Sequence, residues 1–422
     1  GTGHSEGGSY KCDGIAMDSL ITAAAQALAT GDPLSALKRV ALRDDAPALA
    51  LRGVAMAQLG DLVRAKELLK QAVRAFGPKD QIARARCVVA EAEIALVSRD
   101  LTWPAKSLDA ARVVLERRGD RVNAAHAASL AARRLLLIGR IDDAERLLAS
   151  VQPASLSPAL RAGYELAMAG IAIRRLRTGA ARNALARAAR AAQMTGSSAL
   201  QAEVENVALL ITQPAARAIV HGSERSLLLE DVEVLLASDT LVIDACRNVV
   251  RTINETVSLA SRPVLFALAR ALAEGSPGDV SRDELVKRAF RAKHADESHR
   301  ARLRVEIGRL RTELGALADI SATARGFTLS PKHGREAVVL APIAEGEHAD
   351  VVALLADGEA WSSSALAIAL GVSPRSVQRA LEQLSVTGKV QPFGHGRARR
   401  WTTPPVPGFP TTLLLPGPLP GS

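Results

Sequence analysis

The sequence predicts a mainly α chain: an N-terminal α-solenoid of helix pairs over residues 17–215, followed by two small α+β units over 222–330 and 346–404. Three observations carry this. Turn signals recur along an alanine-, leucine- and arginine-rich first half that is almost free of aromatic residues. Short β-branched runs begin only after residue 240. Two later helices, one in each small unit, combine a clean apolar stripe with an arginine-bearing outer face.

Residues 1–16 are glycine-rich and unpatterned, and read as an unstructured leader or an appended tail. From there the turn signals Gly31-Asp32 with Ala36, Gly60-Asp61 with Ala65, Gly139-Arg140 with Ala144, and Thr178-Gly179 with Ala184 recur. Arg99-Asp100 is the intermediate turn that completes a step of roughly forty residues, the length of one stacking helix pair. The runs ALALRGVAMAQLGDLVRAKELLKQAV (48–73) and LAARRLLLIGRIDDAERLLASV (130–151) place alanines where paired helices approach closely. They resemble tetratricopeptide repeats with stretched spacing and without the large aromatics. That resemblance implies a concave groove that takes a protein or peptide partner, or a platform for oligomerisation.

The first α+β unit opens with short strands, LVIDA (241–245), NVVRTI (248–253) and TVSL (256–259), with turns at Cys246-Arg247 and Asn254-Glu255. Pro263 starts a helix in its favoured first turn. Ser281 with Glu284 forms a capping box ahead of the helix ending at Phe290. In HRARLRVEIGRLRTELGAL (299–317), Leu303, Ile307, Leu310, Leu314 and Leu317 form one stripe at alternating spacings of four and three. Ala301, Val305, Gly308 and Thr312 face the other way, flanked by Arg302 and Arg309 on one side and Arg304 and Arg311 on the other. A smooth ridge with arginine flanks suits the DNA major groove, where arginine reads guanine and small methyls meet thymine. Arg325-Gly326-Phe327 follows, with a glycine and an anchoring aromatic at the place of a β-hairpin wing.

The order of β platform, helix, basic helix and wing resembles the OmpR/PhoB-type winged helix, most strongly in LRVEIGRLRTEL. The resemblance implies a base-reading helix from Glu297 to Leu314, with Ser298, Arg300, Ala301, Arg302, Arg304, Val305, Arg309 and Thr312 towards DNA. It places Arg325 of the wing on a phosphate or in the minor groove. No receiver domain precedes this unit, so phosphorylation of an aspartate is not implied as its input.

In the second unit ADVVALLADG (349–358) is one helix, Ser362 to Leu370 a second ending at Gly371, and RSVQRALEQL a third behind Ser373-Pro374. Val377, Ala380, Leu381 and Leu384 make the inner stripe of the third helix, leaving Arg375, Gln378, Arg379 and Glu382 outside. Two strands then flank Gly394-His395-Gly396 between Lys389 and Thr403, and Trp401 is placed to pack the returning strand on the core. The pattern resembles the helix-turn-helix of MarR- and GntR-like winged regulators. It implies DNA contacts from Ser373, Arg375, Ser376, Gln378 and Arg379, with Arg397, Arg399 and Arg400 of the wing on the phosphate backbone. A winged helix used for protein contact or dimerisation is the alternative for this unit. His395 reads as a turn residue rather than a ligand.

The chain has 422 residues and a formal net charge of +10, a balance that favours a polyanionic partner such as double-stranded DNA. Its three cysteines, Cys12, Cys87 and Cys246, are scattered, so neither a disulfide frame nor a metal site is expected. Phosphate-loop, dinucleotide, zinc-protease and nucleophile-elbow motifs are absent, and neither catalysis nor a cofactor is expected. No apolar run approaches the ~20 residues of a membrane span, and a cytoplasmic, bacterial-type protein is the expected setting. The segment 405–422 is proline-rich and cannot form a regular helix, but Leu413 to Leu415 is apolar enough to dock. These expectations converge on a sequence-specific transcriptional regulator. A repeat-based adaptor whose winged helices make protein contacts, and a nucleoid-associated binder without sequence choice, remain the alternatives. A homodimer also stays open, because no long heptad seam is present.

Overall fold

The computed structural model describes residues 19–290, 297–343, 348–355, 360–394, 396, 399–403 and 412–415. It is mainly helical, with its sheets confined to the C-terminal half. The helices of the first half come in antiparallel pairs. These are α1 (Ser19–Ala29) with α2 (Pro33–Val40), α3 (Ala46–Gln58) with α4 (Leu62–Ala75), α5 (Gln81–Val97) with α6 (Ala105–Arg117), α7 (Arg121–Leu137) with α8 (Ile141–Leu148), and α9 (Pro158–Arg174) with α10 (Thr178–Thr195). The first helices of successive pairs pack on one another, and α11 (Ser198–Thr212) closes the row against α9 and α10.

Every pair is joined by the same turn. Gly31, Gly60, Arg99, Gly139 and Leu176 adopt left-handed φ values. In each case the next residue donates its N–H five residues back, as Asp32 does to the Ala27 carbonyl and Arg177 to that of Ala172. This closes the helix end in a Schellman motif and reverses the chain. Five residues after the left-handed position lie Ala36, Ala65, Ala144 and Ala181, all fully shielded from solvent. A methyl side chain there lets the second helix cross close to the first.

The last turn corrects the expected register. It sits at Leu176-Arg177 rather than Thr178-Gly179, and the matching alanine is Ala181 rather than Ala184. Gly179 falls inside the first turn of α10, while a leucine takes the strained conformation that a glycine search would assign elsewhere.

Beyond α11 come β1 (Ala216–Val220), β2 (Ser223–Leu227), α12 (Leu229–Ala237), β3 (Leu241–Asp244), β4 (Val249–Arg251), β5 (Thr256–Ser258) and α13 (Pro263–Gly275). Then follow β6 (Val280–Ser281), α14 (Arg282–Phe290), α15 (Glu297–Leu314), β7 (Ala318–Ala322), β8 (Gly326–Pro331) and β9 (Ala337–Pro342). Among the described residues the larger sheet runs β2-β1-β9-β3-β4-β5, antiparallel except where β3 lies parallel to β9.

The three strands expected over 241–259 are present, and the sheet they join also takes in strands outside 222–330. β1 begins at Ala216, and β9 is inserted between β1 and β3 at the centre of the sheet. One core joins this sheet to α13, α14, α15 and the β7–β8 hairpin, drawing on Ile243, Val250, Leu268, Leu285, Leu310 and Val339. The α12 helix braces the unit on the array. Glu233 accepts the Thr178 N–H at 2.9 Å and the Thr178 hydroxyl at 2.5 Å, hydrogen bonds that hold its carboxyl below the usual range, and Arg182 pairs with Glu230.

The last unit comprises α16 (Ala349–Leu355), α17 (Ser363–Leu370), α18 (Pro374–Val386), β10 (Gln391–Phe393) and β11 (Arg400–Thr402). Trp361 and Trp401 exchange backbone hydrogen bonds of 2.9 and 2.8 Å, and both indoles are fully buried. Their core is completed by the array, because Leu101, Leu137 and Ile138 pack into it. The Arg99 guanidinium lies 5.7 Å from the Trp361 ring centroid, and Arg134 fixes the same loop by donating to the Leu101 carbonyl at 3.0 Å.

Leu101→Asp would bury a charge in this seam. We expect the variant to keep the array folded while α18 becomes rapidly cut by trypsin at Arg375 and Arg379. Mass spectrometry of a limited digest checks this, and unchanged protection of α18 would show that Leu101 does not hold the unit.

Candidate nucleic-acid interface

The α15 helix is amphipathic in the expected way. Leu303, Ile307, Leu310 and Leu314 are at most 1% exposed, and Leu317 just beyond the helix is equally buried. They rest on α13, α14 and β7. Ser298, Arg300, Ala301, Arg302, Arg304, Val305, Arg309 and Thr312 are exposed on the other side, including a β-branched residue, Val305, that is 54% accessible.

The arginines of this face already have partners, and the partners differ in kind. Arg300 pairs with Asp283 at 3.3 Å, Arg304 with Glu297 at 3.3 Å, and Arg309 with Glu306 at 3.0 Å. The pairs of Arg300 and Arg304 are exposed at both ends and contribute about 0–1 kcal/mol, so a phosphate or a base edge can displace them at little cost, whereas the Glu306 side chain under Arg309 is only 13% exposed. Arg302 instead stacks 4.5 Å from the Phe290 ring centroid, at the end of α14. Arg311 donates from Nε to the Ile320 carbonyl at 2.7 Å and lies over Phe327. The expected symmetric flanks are therefore unequal. Among the described residues Arg304 is held by a surface ion pair and Arg309 by the partly buried Glu306, while Arg302 and Arg311 help to seat the helix.

The β7–β8 hairpin is positioned by residues that no local sequence pattern revealed. Arg282 donates to the carbonyls of Ala324 at 2.9 Å and Thr323 at 3.1 Å, with its guanidinium 5.5 Å from the Phe327 ring centroid. The Thr323 hydroxyl donates to Asp279 at 2.7 Å. Phe327 is buried, as expected of an anchoring aromatic. Gly326 is required sterically, since a Cβ there would sit 1.7 Å from the Val280 carbonyl oxygen. The braced turn carries Arg325 outward, 76% exposed and 3.8 Å from Asp279.

Beside α15 an open cavity of 520 Å³ runs against the start of α13, lined by Arg262, Pro263, Glu306, Arg309, Thr312 and Glu313 among others. Arg262 pairs with Glu313 across it. This places a further cation next to Arg309 and Thr312. Arg262 escaped the sequence reading because it stands as the residue before a helix-starting proline, with no periodicity to mark it.

In the last unit Val377, Ala380, Leu381 and Leu384 are buried as expected. Ser373 caps α18, accepting the Ser376 N–H at 3.1 Å, and the two hydroxyls lie 2.8 Å apart. Both serines are thus engaged in shaping the helix start. Arg375 and Arg379 are exposed, and Gln378 donates to Glu382 at 2.9 Å. Arg399 lies 4.5 Å from the Trp401 ring centroid, and Arg400 is half-buried on β11. Arg397 and His395 lie outside the described residues. The α15 and α18 helices rest on separate cores.

The chain matches no protein-family model, no curated protein and no solved structure. No described helix is long and apolar enough to cross a membrane.

Gly326→Ala tests the hairpin. Forcing a methyl against the Val280 backbone should destabilise the unit by roughly 1–3 kcal/mol, or prevent β6 from pairing with β8 altogether. Urea unfolding measures the loss, and an unchanged midpoint would mean that the backbones separate without cost.

Proposed function

We propose that this protein is a sequence-specific DNA-binding transcriptional regulator. In this reading residues 17–215 form a tetratricopeptide-like α-solenoid that receives a partner. Residues 216–342 contain an OmpR/PhoB-type winged helix, and residues 346–404 a MarR/GntR-like one. The single observation that carries the reading is the outer face of α15, in which Ala301, Val305 and Thr312 form a low ridge beside Arg304 and Arg309, whose side chains are 67% and 65% exposed. Such a face can enter a major groove without desolvating a strong internal contact.

The surrounding order supports it. Strands β3 to β5 precede α13, a short strand precedes α14, and α15 leads into a hairpin with an exposed Arg325 at its tip. The α18 helix repeats the theme on a smaller scale, with Arg375 and Arg379 outward and Arg399 and Arg400 on the following strand. Exposed arginines would supply most of the affinity by displacing counterions, while the helix ridges supply base choice. A cytoplasmic setting follows from the same reading, because that is where such a regulator meets DNA.

The deciding experiment is selection of fragmented genomic DNA by the purified full chain across a salt series, followed by sequencing of what is retained. A recurrent motif that survives rising salt is the expected result, with binding falling at a log–log slope near 0.9 per neutralised phosphate. Retention without a motif would reassign the protein to nonspecific packaging of DNA. No retention at any salt would leave the helical array as the working surface and favour the adaptor reading.

Arg309→Ala sharpens the test. A loss of about 1–3 kcal/mol on the selected site, with relaxed choice at one base pair, is expected of a bidentate guanine contact. An equal loss on every sequence would make Arg309 a phosphate contact.

A further inference from the structure

The inner surface of the helical array is occupied. The segment Thr412–Leu415 lies there without secondary structure, lining a cavity of 810 Å³ together with residues of α1, α3, α9 and α11. It is held through its backbone by two carboxylates. The Thr412 N–H donates to Glu203 Oε2 at 2.8 Å, and the Leu414 N–H donates to Glu93 Oε1. In an extended chain alternate N–H groups point to the same edge, so residues two apart can be taken by acceptors on one side.

Both carboxylates are prepared for this. Glu93 and Glu203 are 2% and 7% exposed. Each has its other oxygen fixed by a basic side chain, Glu93 by His126 Nε2 at 2.8 Å and Glu203 by Arg133 at 2.5 Å. One oxygen of each remains for an incoming N–H, and a buried carboxylate oxygen left without a donor is costly.

The side chains fit as closely as the backbone. Leu415 is 6% exposed and joins the core of α1 to α5. Leu414 packs against the cores on both sides of α9. Its Cδ1 would lie 2.7 Å from a Cβ at Gly163, so the leucine occupies the space that the glycine leaves open.

We propose that this surface is a peptide site selective for extended, leucine-rich segments, read through alternate backbone N–H groups by Glu203 and Glu93, and that Thr412–Leu415 is its intramolecular ligand. An external peptide of the same chemistry must then displace the tail, which competes at the high effective concentration of a tethered ligand. The inference does not depend on DNA binding, and its test contains no DNA.

The probe is a fluorescein-labelled peptide with the sequence of residues 409–418, FPTTLLLPGP, titrated into the full chain and read by anisotropy. Wild-type protein should bind it at least tenfold more weakly than Leu414→Glu, in which the tail is expelled while the site stays intact. The same peptide N-methylated at the nitrogen of the residue matching Leu414 cannot donate to Glu93. It should bind the variant roughly 10- to 100-fold more weakly, the range for a lost hydrogen bond to a charged group.

Equal affinity for wild type and variant would overturn intramolecular occupancy. Equal affinity of the plain and methylated peptides would overturn backbone reading by Glu93. Circular dichroism melting confirms that the variant is folded, and Leu414→Ala replaces it if it is not. A folded variant that binds no peptide overturns the proposal.

Discussion

The close crossing of paired helices is the constraint on which the rest of this molecule is built. A residue in a left-handed conformation reverses the chain at each of the five turns, and at four of them a fully buried alanine five residues later lets the helices approach. Gly53 makes the same point inside a helix, since a Cβ there would meet Leu69 at 2.8 Å. With such small side chains at the crossings, the array has few large groups to fill its inner surface. The leucines of the returning tail do that filling, and the buried glutamates give the tail's backbone the partners that a loop in a groove would otherwise lack.

The arginines show how one residue type divides between structure and recognition. Arg282, Arg302 and Arg311 lie over aromatic rings, and Arg282 and Arg311 also donate to backbone carbonyls around the β7–β8 hairpin. Arg304, Arg309 and Arg325 are at least 65% exposed, and among the described residues each is paired with a single carboxylate. A planar guanidinium performs both tasks, stacking through its face and donating through its edge. Net charge alone cannot separate the two groups.

What was legible in the sequence was local. The stripes of α15 and α18 follow from periodicity, and their buried and exposed faces lie where spacing places them. The platform strands β3 to β5 were also readable, being short, β-branched and separated by turns. What escaped depends on partners distant in sequence. β9 is central to the sheet only because β1 and β3 come to lie on either side of it, and the alanine-rich run of β1 carries little strand signal of its own. Arg262 and Arg282 matter through what they reach across the fold, and no spacing rule registers that. Gly179 misled because glycine is permissive rather than obligatory, and Leu176 accepts the strain that the turn imposes.

The third turn of the array differs from the others in one respect. Where Gly31, Gly60 and Gly139 supply conformational freedom and nothing else, Arg99 adopts the same left-handed backbone and also covers Trp361 of the last unit. The helix pairs are therefore not interchangeable along the row. Duplicating or deleting a pair on the N-terminal side of this turn would change the surface on which Leu415 rests but not the stretch between Arg99 and the larger sheet. The same change on its C-terminal side would alter the separation of the two arginine-bearing units, so that stretch of the array acts as a spacer of defined length.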